Sequence, residues 1–204
     1  MSTATTNPAW TFPDLEGFGV RLARADASHA PALFAVTPPD TFRYYIRWPG
    51  AWTLEEFTRW YEEYRAEPRE HMYVVFDASD GRVLGSTSFL DIDPANRCVE
   101  IGATWYAQAA RGTRVNPACK LIMLRHAFEA LGCIRVTIKC NARNAHSAAA
   151  IRKLGATCEG VLRNHRVQCD GNPRDTMVFS VVPEEWPRVK AGLLARVAAP
   201  RSGV

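Results

Sequence analysis

A chain of 204 residues, 47% of them hydrophobic, suits one globular domain with a full core and short appendages. Its 25 basic and 21 acidic residues leave a net charge of +4 scattered along the chain, too mild to argue for nucleic acid. No apolar run approaches the ~20 residues of a membrane span, and the first ten residues lack a signal-peptide pattern. The six cysteines, Cys98, Cys119, Cys133, Cys140, Cys158 and Cys169, show no metal-ligand spacing and read as buried free thiols. The expectation is a soluble cytoplasmic protein with no metal, no nucleic-acid partner and no membrane partner.

Residues 1–17 are polar and Pro-containing and read as an N-terminal tail, 18–197 as the folded domain and 198–204 as a C-terminal tail. Val20 to Arg24 alternates as a short strand. Asp26 or Ser28 can cap a helix carrying Ala32, Leu33 and Val36, which Pro38-Pro39 ends. Phe42 to Trp48 is aromatic and basic without periodicity. Thr53-Leu54-Glu55-Glu56 is a capping box, and Phe57, Trp60, Tyr61 and Tyr64 follow at helical spacing along one core stripe. From His71 the period becomes that of strands. Met72 to Phe76 and Arg82 to Ile92 flank an Asp80-Gly81 hairpin turn, and Arg97 to Tyr106 forms a third strand. Its alternation places Val99, Ile101, Ala103 and Trp105 on one face and Cys98, Glu100, Gly102 and Thr104 on the other.

The next stretch, Arg111-Gly112-Thr113-Arg114-Val115-Asn116-Pro117, is the pivot of the chain. Asn116 before Pro117 reads as an N-cap and first helical residue, with Gly112 turning the backbone just ahead. Unpaired N–H groups at a helix start, beside two arginines, favour an anion, and a phosphate cradle is the reading. The loop is neither a P-loop nor the dinucleotide GxGxxG. The helix continues through Leu121, Leu124, Phe128 and Leu131 to Gly132, and Ile134, Val136 and Ile138 alternate in the next strand. Asn144 caps a helix to Leu154, closed by Gly155. A hairpin, Gly160 to Gln168 and Arg174 to Val182, turns on Asp170-Gly171, and Glu184 to Val197 is a terminal helix. Three strands joined by short turns argue for an antiparallel region, and Val99 to Cys140 for one parallel crossover. The fold class is a single-domain mixed α/β sheet.

Asn144-Ala145-His146-Ser147 directly follows the strand that would lie parallel to the one before the cradle. If these two strands splay apart, their ends expose backbone groups that an extended, amide-bearing ligand could pair with. Asn144 and Ser147 would line that gap. Pyrophosphate at a helix start together with an amide-rich arm between strands describes coenzyme A.

With these residues in place the chain resembles the GNAT superfamily of acyl-CoA-dependent N-acetyltransferases, and within it the branch of ribosomal-protein N-terminal (alanine/serine) acetyltransferases. The resemblance is carried by 99–102, 111–116, 126–132 and 144–147, and continues through 154–156, 159–163, Asp170-Gly171, Arg174-Asp175 and Glu185-Trp186, spanning about Val20 to Leu193. It implies a mostly antiparallel sheet with one parallel, splayed strand pair and flanking helices, acetyl-CoA as co-substrate, and no metal. It implies that backbone amides of Arg111, Gly112, Thr113, Arg114 and Val115, with Asn116 at the helix start, hold the pyrophosphate. The strand end at Trp105-Tyr106 would pair with pantetheine, and Asn144 and Ser147 would contact the cofactor near its thioester. Glu100 matches a glutamate that assists in deprotonating the amine. Two departures stand out: Arg114 replaces a small residue of the superfamily loop, and Ile151 stands where many relatives carry a general-acid tyrosine, leaving Ser147 as substitute candidate.

The implied reaction is direct attack of an amine on the thioester through a tetrahedral intermediate. An α-amine, at pKa ~7.7–8.0, is already partly neutral at pH 7, whereas a lysine near ~10.4 is not, so a weak base suffices for the former. The acceptor stays open between protein or peptide N-termini and small amines; the aromatic segment 42–52, which by family analogy faces it, suits either. His126 and His146 read as structural, while His165, with Arg163 and Arg166, either lines the acceptor pocket or faces solvent. Relatives often pair through late strands, which makes a homodimer one expectation. The alternatives are a non-catalytic acyl-CoA-binding regulatory module and a phosphate-binding protein without CoA.

Overall fold

The structure, a computed structural model, describes residues 10–168 and 170–199. In chain order the elements are β1 (Leu15–Gly17), β2 (Val20–Arg24), α1 (Ala30–Val36), α2 (Leu54–Arg65), β3 (His71–Asp77), β4 (Val83–Asp93) and β5 (Cys98–Tyr106). They are followed by α3 (Val115–Arg125), β6 (Arg135–Asn141), α4 (Ala145–Leu154), β7 (Thr157–Val167), β8 (Pro173–Val181) and α5 (Trp186–Ala198). One eight-stranded sheet runs in the order β1-β2-β3-β4-β5-β6-β8-β7. Its neighbours are antiparallel except β5 and β6, the parallel pair that α3 connects. This is the mixed, mostly antiparallel sheet that the sequence led us to expect.

Each face of the sheet carries its own core. On one side α3, α4 and α5 pack Leu121, Ile122, Leu124, Ile151, Val189 and Leu193 against Val99, Ile101, Val136 and Phe179. On the other, α1 and α2 pack Leu33, Phe57, Trp60, Tyr61 and Tyr64 against Val74, Phe76 and Trp105. The stripe of α2 is therefore core, each large side chain contributing roughly 1.5–3 kcal/mol by its burial. Thr53 caps α2 by accepting from the Glu56 N–H at 3.2 Å. Glu56 pairs with Arg59, and the reciprocal capping box forms instead at Asp26 and His29.

Three expectations change. The helix expected at Pro117 begins two residues earlier, at Val115, so Asn116 is not its cap; the Asn116 Oδ1 instead accepts from the Tyr106 hydroxyl at 3.3 Å. Pro117 falls in the first turn, where its missing N–H costs little. The far end of this helix closes in a π-turn, His126–Ala130, before Gly132. The strand β5 does not alternate throughout. Pairing with β4 shifts between Ser86 and Ser88, and Ala103 sits at φ +45°, so one extra residue bulges out. Val99 and Ile101 face α3, but Trp105 turns to the α1/α2 side. Finally, the segment read as tail supplies β1, and Trp10, Phe12 and Leu15 pack against the core; residues 1–9 and Cys169 lie outside those described. Of the described cysteines all are free, Cys158 exposed rather than buried.

The parallel seam positions the site. β5 and β6 pair only at Cys98 with Arg135, Val99 with Val136 and Glu100 with Thr137. Beyond that point β5 runs on to Tyr106 and stays with β4, while β6 runs to Asn141 and stays with β8. The two strands diverge into a wedge whose closed end is Glu100.

Candidate active site

Glu100 is 8% exposed and lies on the α1/α2 face of the sheet. Gly102 gives it room: a Cβ there would lie 2.7 Å from the Leu90 Cδ1 and 3.1 Å from the Glu100 Oε1. The Lys139 ammonium sits 2.6 Å from the Glu100 Oε2 and 3.1 Å from the Asp91 Oδ2. Burial raises the Glu100 carboxyl above its usual range, and Lys139 pulls it partly back. For Lys139 burial lowers the ammonium, but Glu100 and Asp91 outweigh that and leave it raised. The difference follows depth, since the Glu100 side chain is the better shielded of the two. A cleft of about 300 Å³, lined by Arg69, Asp91, Asp93, Thr137 and Lys139, reaches Glu100 from the α1/α2 side.

This pair sets a first expected result. Lys139→Met leaves Glu100 buried and unpaired, and should destabilise the fold by about 2–3 kcal/mol at neutral pH, below the ~3–5 of a fully buried pair because Lys139 is partly exposed. The Glu100 pKa, already raised, should rise further. A carboxyl raised in the folded state gives stability that is complete below its unfolded pKa and lost as pH rises through the folded one. The deficit of the variant should therefore shrink on acidification. Denaturant titrations at neutral and mildly acidic pH read this; a deficit that does not change with pH contradicts it.

The bulge is held from both faces. Lys120, on α3 and only 7% exposed, donates from Nζ to the Thr104 Oγ1 at 2.8 Å, and burial lowers its pKa to about 8. The Thr104 Oγ1 also meets the Thr87 Oγ1 at 2.8 Å. From the other side the Tyr45 hydroxyl donates to the Thr104 carbonyl at 2.8 Å. Phe42 and Trp105 pack against Tyr45, and Trp60 packs against both of them, so the aromatic segment is partly core.

At the open end of the wedge, Gly112 adopts φ +74° and the chain enters α3. Among the described residues no acceptor takes the N–H groups of Gly112, Thr113, Arg114 or Asn116. The Val115 N–H donates to the Thr113 Oγ1 at 3.2 Å, and that hydroxyl donates to the Ala110 carbonyl at 2.7 Å, bracing the turn. Four free donors at a helix start suit a phosphate. The arginines do not cover them. Arg111 folds back, its Nε donating to the Tyr106 carbonyl at 3.0 Å, and the Arg114 guanidinium rests against Gly19, where a Cβ would come within 2.9 Å of its Nη2. The bulky Arg114 thus leaves the amide cradle intact. Arg111 and Tyr45 occupy the carbonyls of Tyr106 and Thr104, while the Trp105 carbonyl lies against Gly85 of β4, where a Cβ would come within 2.1 Å of it.

Across the wedge Asn144 caps α4, its Oδ1 accepting from the Ser147 N–H at 3.0 Å. Ser147 is half-buried beside the Cys140 thiol, whose pKa burial raises and the hydrogen bond from Ser147 lowers in part. Ile151 packs in the core. His126 donates from Nε2 to the Thr11 carbonyl at 2.9 Å, which is a structural contact. The structure thus brings Glu100, Trp105, Tyr106, Asn144 and Ser147 around one wedge with the 111–116 loop at its mouth.

A family model described as an acetyltransferase (GNAT) domain matches residues 20–157. The chain belongs to the GNAT acetyltransferase family. YdaF of Bacillus subtilis (strain 168), named as a candidate ribosomal N-acetyltransferase, is 31% identical over 107 residues, 52% of this chain and 57% of that protein. The match thus spans little more than half the length of that curated relative. A crystal structure of a candidate acetyltransferase from T. thermophilus is 38% identical, with TM-score 0.86 over 92% of this chain and 98% of that one. Mycobacterium smegmatis RimJ, solved with CoA-disulfide, shares the fold at TM-score 0.74 and 23% identity, covering 93% of this chain and 97% of its own.

Within this GNAT domain, sequence reasoning missed Lys139, Lys120 and Tyr45 as parts of the site. Lys139 was legible only as one polar residue of an alternating strand, and nothing in alternation says which strand its ammonium meets. Lys120 left a faint signal, a charge in the first turns of a helix whose neighbours are nearly all apolar.

Proposed function

We propose that this chain is an acetyl-CoA-dependent N-acetyltransferase whose acceptor is the α-amine of a protein or peptide. The observation that carries the reading is the wedge itself: free backbone donors at the α3 start, a seam that parts after Glu100, and a buried carboxylate where the seam closes. The name of YdaF and the CoA-disulfide in RimJ support it.

Acetyl-CoA would supply an activated acyl carbon as a thioester. Backbone N–H groups of 111–116 would hold its pyrophosphate, and the free edge of β5 near Trp105 its amide-bearing arm. Asn144 and Ser147 would border the thioester end. The neutral amine attacks the carbonyl carbon, an N–C bond forms, the C–S bond breaks, and the sulfur leaves with its electron pair. Glu100, directly or through water, takes the proton from nitrogen, and the Ser147 hydroxyl would hydrogen-bond the departing thiolate. The modest base fits an α-amine better than a lysine, because the α-amine is partly neutral at pH 7.

Purified protein should be stabilised by CoA, by ~2.7 kcal/mol at 100 times its Kd. With acetyl-CoA and a panel of amines it should release free thiol only when a peptide amine is present. Stabilisation without thiol release for any amine would favour an acyl-CoA-binding module instead. The packed Ile151 is the observation that keeps this second reading in view.

A further inference from the structure

Arg174 is a charged side chain without an ion pair of its own. It lies on β8 and is 9% exposed, and among the described residues its guanidinium makes no ion pair and no hydrogen bond. Its Nε is shielded from solvent with no acceptor, and the Thr176 Oγ1, two residues along the same face, is shielded and unpartnered as well. Buried charges are ordinarily paired, because the desolvation of an unpaired one is uncompensated. Among the described residues no side chain pairs with Arg174. The cross-strand neighbour of Arg174 is Arg166, a like charge, and Glu100 is already engaged by Lys139.

The register places this orphan in the acceptor half of the site. Glu100 stands beside Thr137, and Asn141, on the same face of β6 as Thr137 and Lys139, stands beside Thr176. Glu100, Lys139, Thr176 and Arg174 therefore share the α1/α2 face, opposite α3 and its loop. Consistent with this placement, the Arg174 charge acts on the Glu100 carboxyl and on the Tyr45 hydroxyl. Burial lowers the Arg174 pKa, and the more distant charge of Glu100 restores it only in part.

Building on the acetyltransferase reading, we propose that Arg174 binds a carboxylate on the acceptor, so that the preferred substrate is a primary amine that also carries a carboxylate. Glu100 would meet the amine and Arg174 the anion, fixing the acceptor at two points. A planar guanidinium offers paired N–H donors that match the two oxygens of a carboxylate. The carboxylate can come from the C-terminus of a short acceptor or from an acidic side chain near a peptide N-terminus. The chemistry at Arg174 is the same in both.

Matched acceptors test this. Each carboxylate acceptor is compared with its amide: short peptides ending in a free or amidated C-terminus, and longer amidated peptides with Glu or Gln at the second position. Wild-type kcat/KM should favour the carboxylate member of at least one pair tenfold or more, and the pair that responds identifies the source. Arg174→Gln should abolish that preference through acceptor KM, with the KM for acetyl-CoA unchanged, and Arg174→Lys should keep part of it. Equal wild-type rates within both pairs would overturn the proposal without any variant. So would an Arg174→Gln defect that is equal for carboxylate and amide, or that appears in acetyl-CoA KM. Acetylation of both members alike sinks the carboxylate site alone, whereas no acetylation of any amine sinks it together with the acetyltransferase reading.

Discussion

Glu100→Gln should lower kcat by about 10²-fold or more, within the ~10²–10⁴ range of general-base contributions, while acetyl-CoA affinity stays unchanged. The substitution keeps the size of the side chain and an oxygen for Lys139 to meet, so the buried contact survives while the basic group is lost. The pH profile should change with it. A base works when ionised, so wild-type activity is present above the folded pKa of Glu100 and lost as pH falls through it. Burial raises that pKa, and Lys139 only partly restores it, so the acid limb should lie above the usual carboxylate range. In Glu100→Gln this limb should vanish, leaving the amine of the acceptor to set what pH dependence remains. Rates equal to wild type across pH would remove Glu100 from the chemistry.

Gly112→Val should weaken CoA binding by about tenfold or more, roughly 1.4 kcal/mol. The cause is backbone, not collision: a Cβ at Gly112 would meet nothing within 4 Å of protein. At φ +74°, however, an L-residue is disfavoured by roughly 1–2 kcal/mol, and a β-branched one more. The loop should relax to negative φ and turn its free N–H groups away from one another. Gly112→Asn should lose less, because asparagine tolerates the left-handed region. Calorimetric titration with CoA reads the series in order Gly, Asn, Val. Equal affinities would mean that these amides hold no phosphate.

Much of this fold was legible because its signals are periodic. The stripe Phe57, Trp60, Tyr61 and Tyr64 made α2, and alternation flanking Asp80-Gly81 made the β3–β4 hairpin. Glycines at the ends of α4 and of the π-turn sat where the chain turns left-handed. What escaped was whatever depends on a single dihedral or on distance across the sheet. Alternation counts residues, so the φ +45° of Ala103 was invisible, and with it the turn of Trp105 to the other face. Asn116 before Pro117 looked like a cap because both residue types favour helix starts; the Thr113 hydroxyl braced the turn earlier and freed Asn116 for Tyr106. Glu100 and the Asn144–Ser147 pair were found from motif and resemblance. Lys139 was not, and Arg174 entered only as part of the resemblance with no role, since a strand position reports a face but not the charge that face will meet.

Acetyl transfer to an amine is most directly tested by mass. Purified protein, acetyl-CoA and a peptide with a free N-terminus should yield peptide heavier by one acetyl group on its α-amine, with one CoA released per peptide modified. Acetyl-CoA that binds but stays intact, with every amine offered left unmodified, would contradict it.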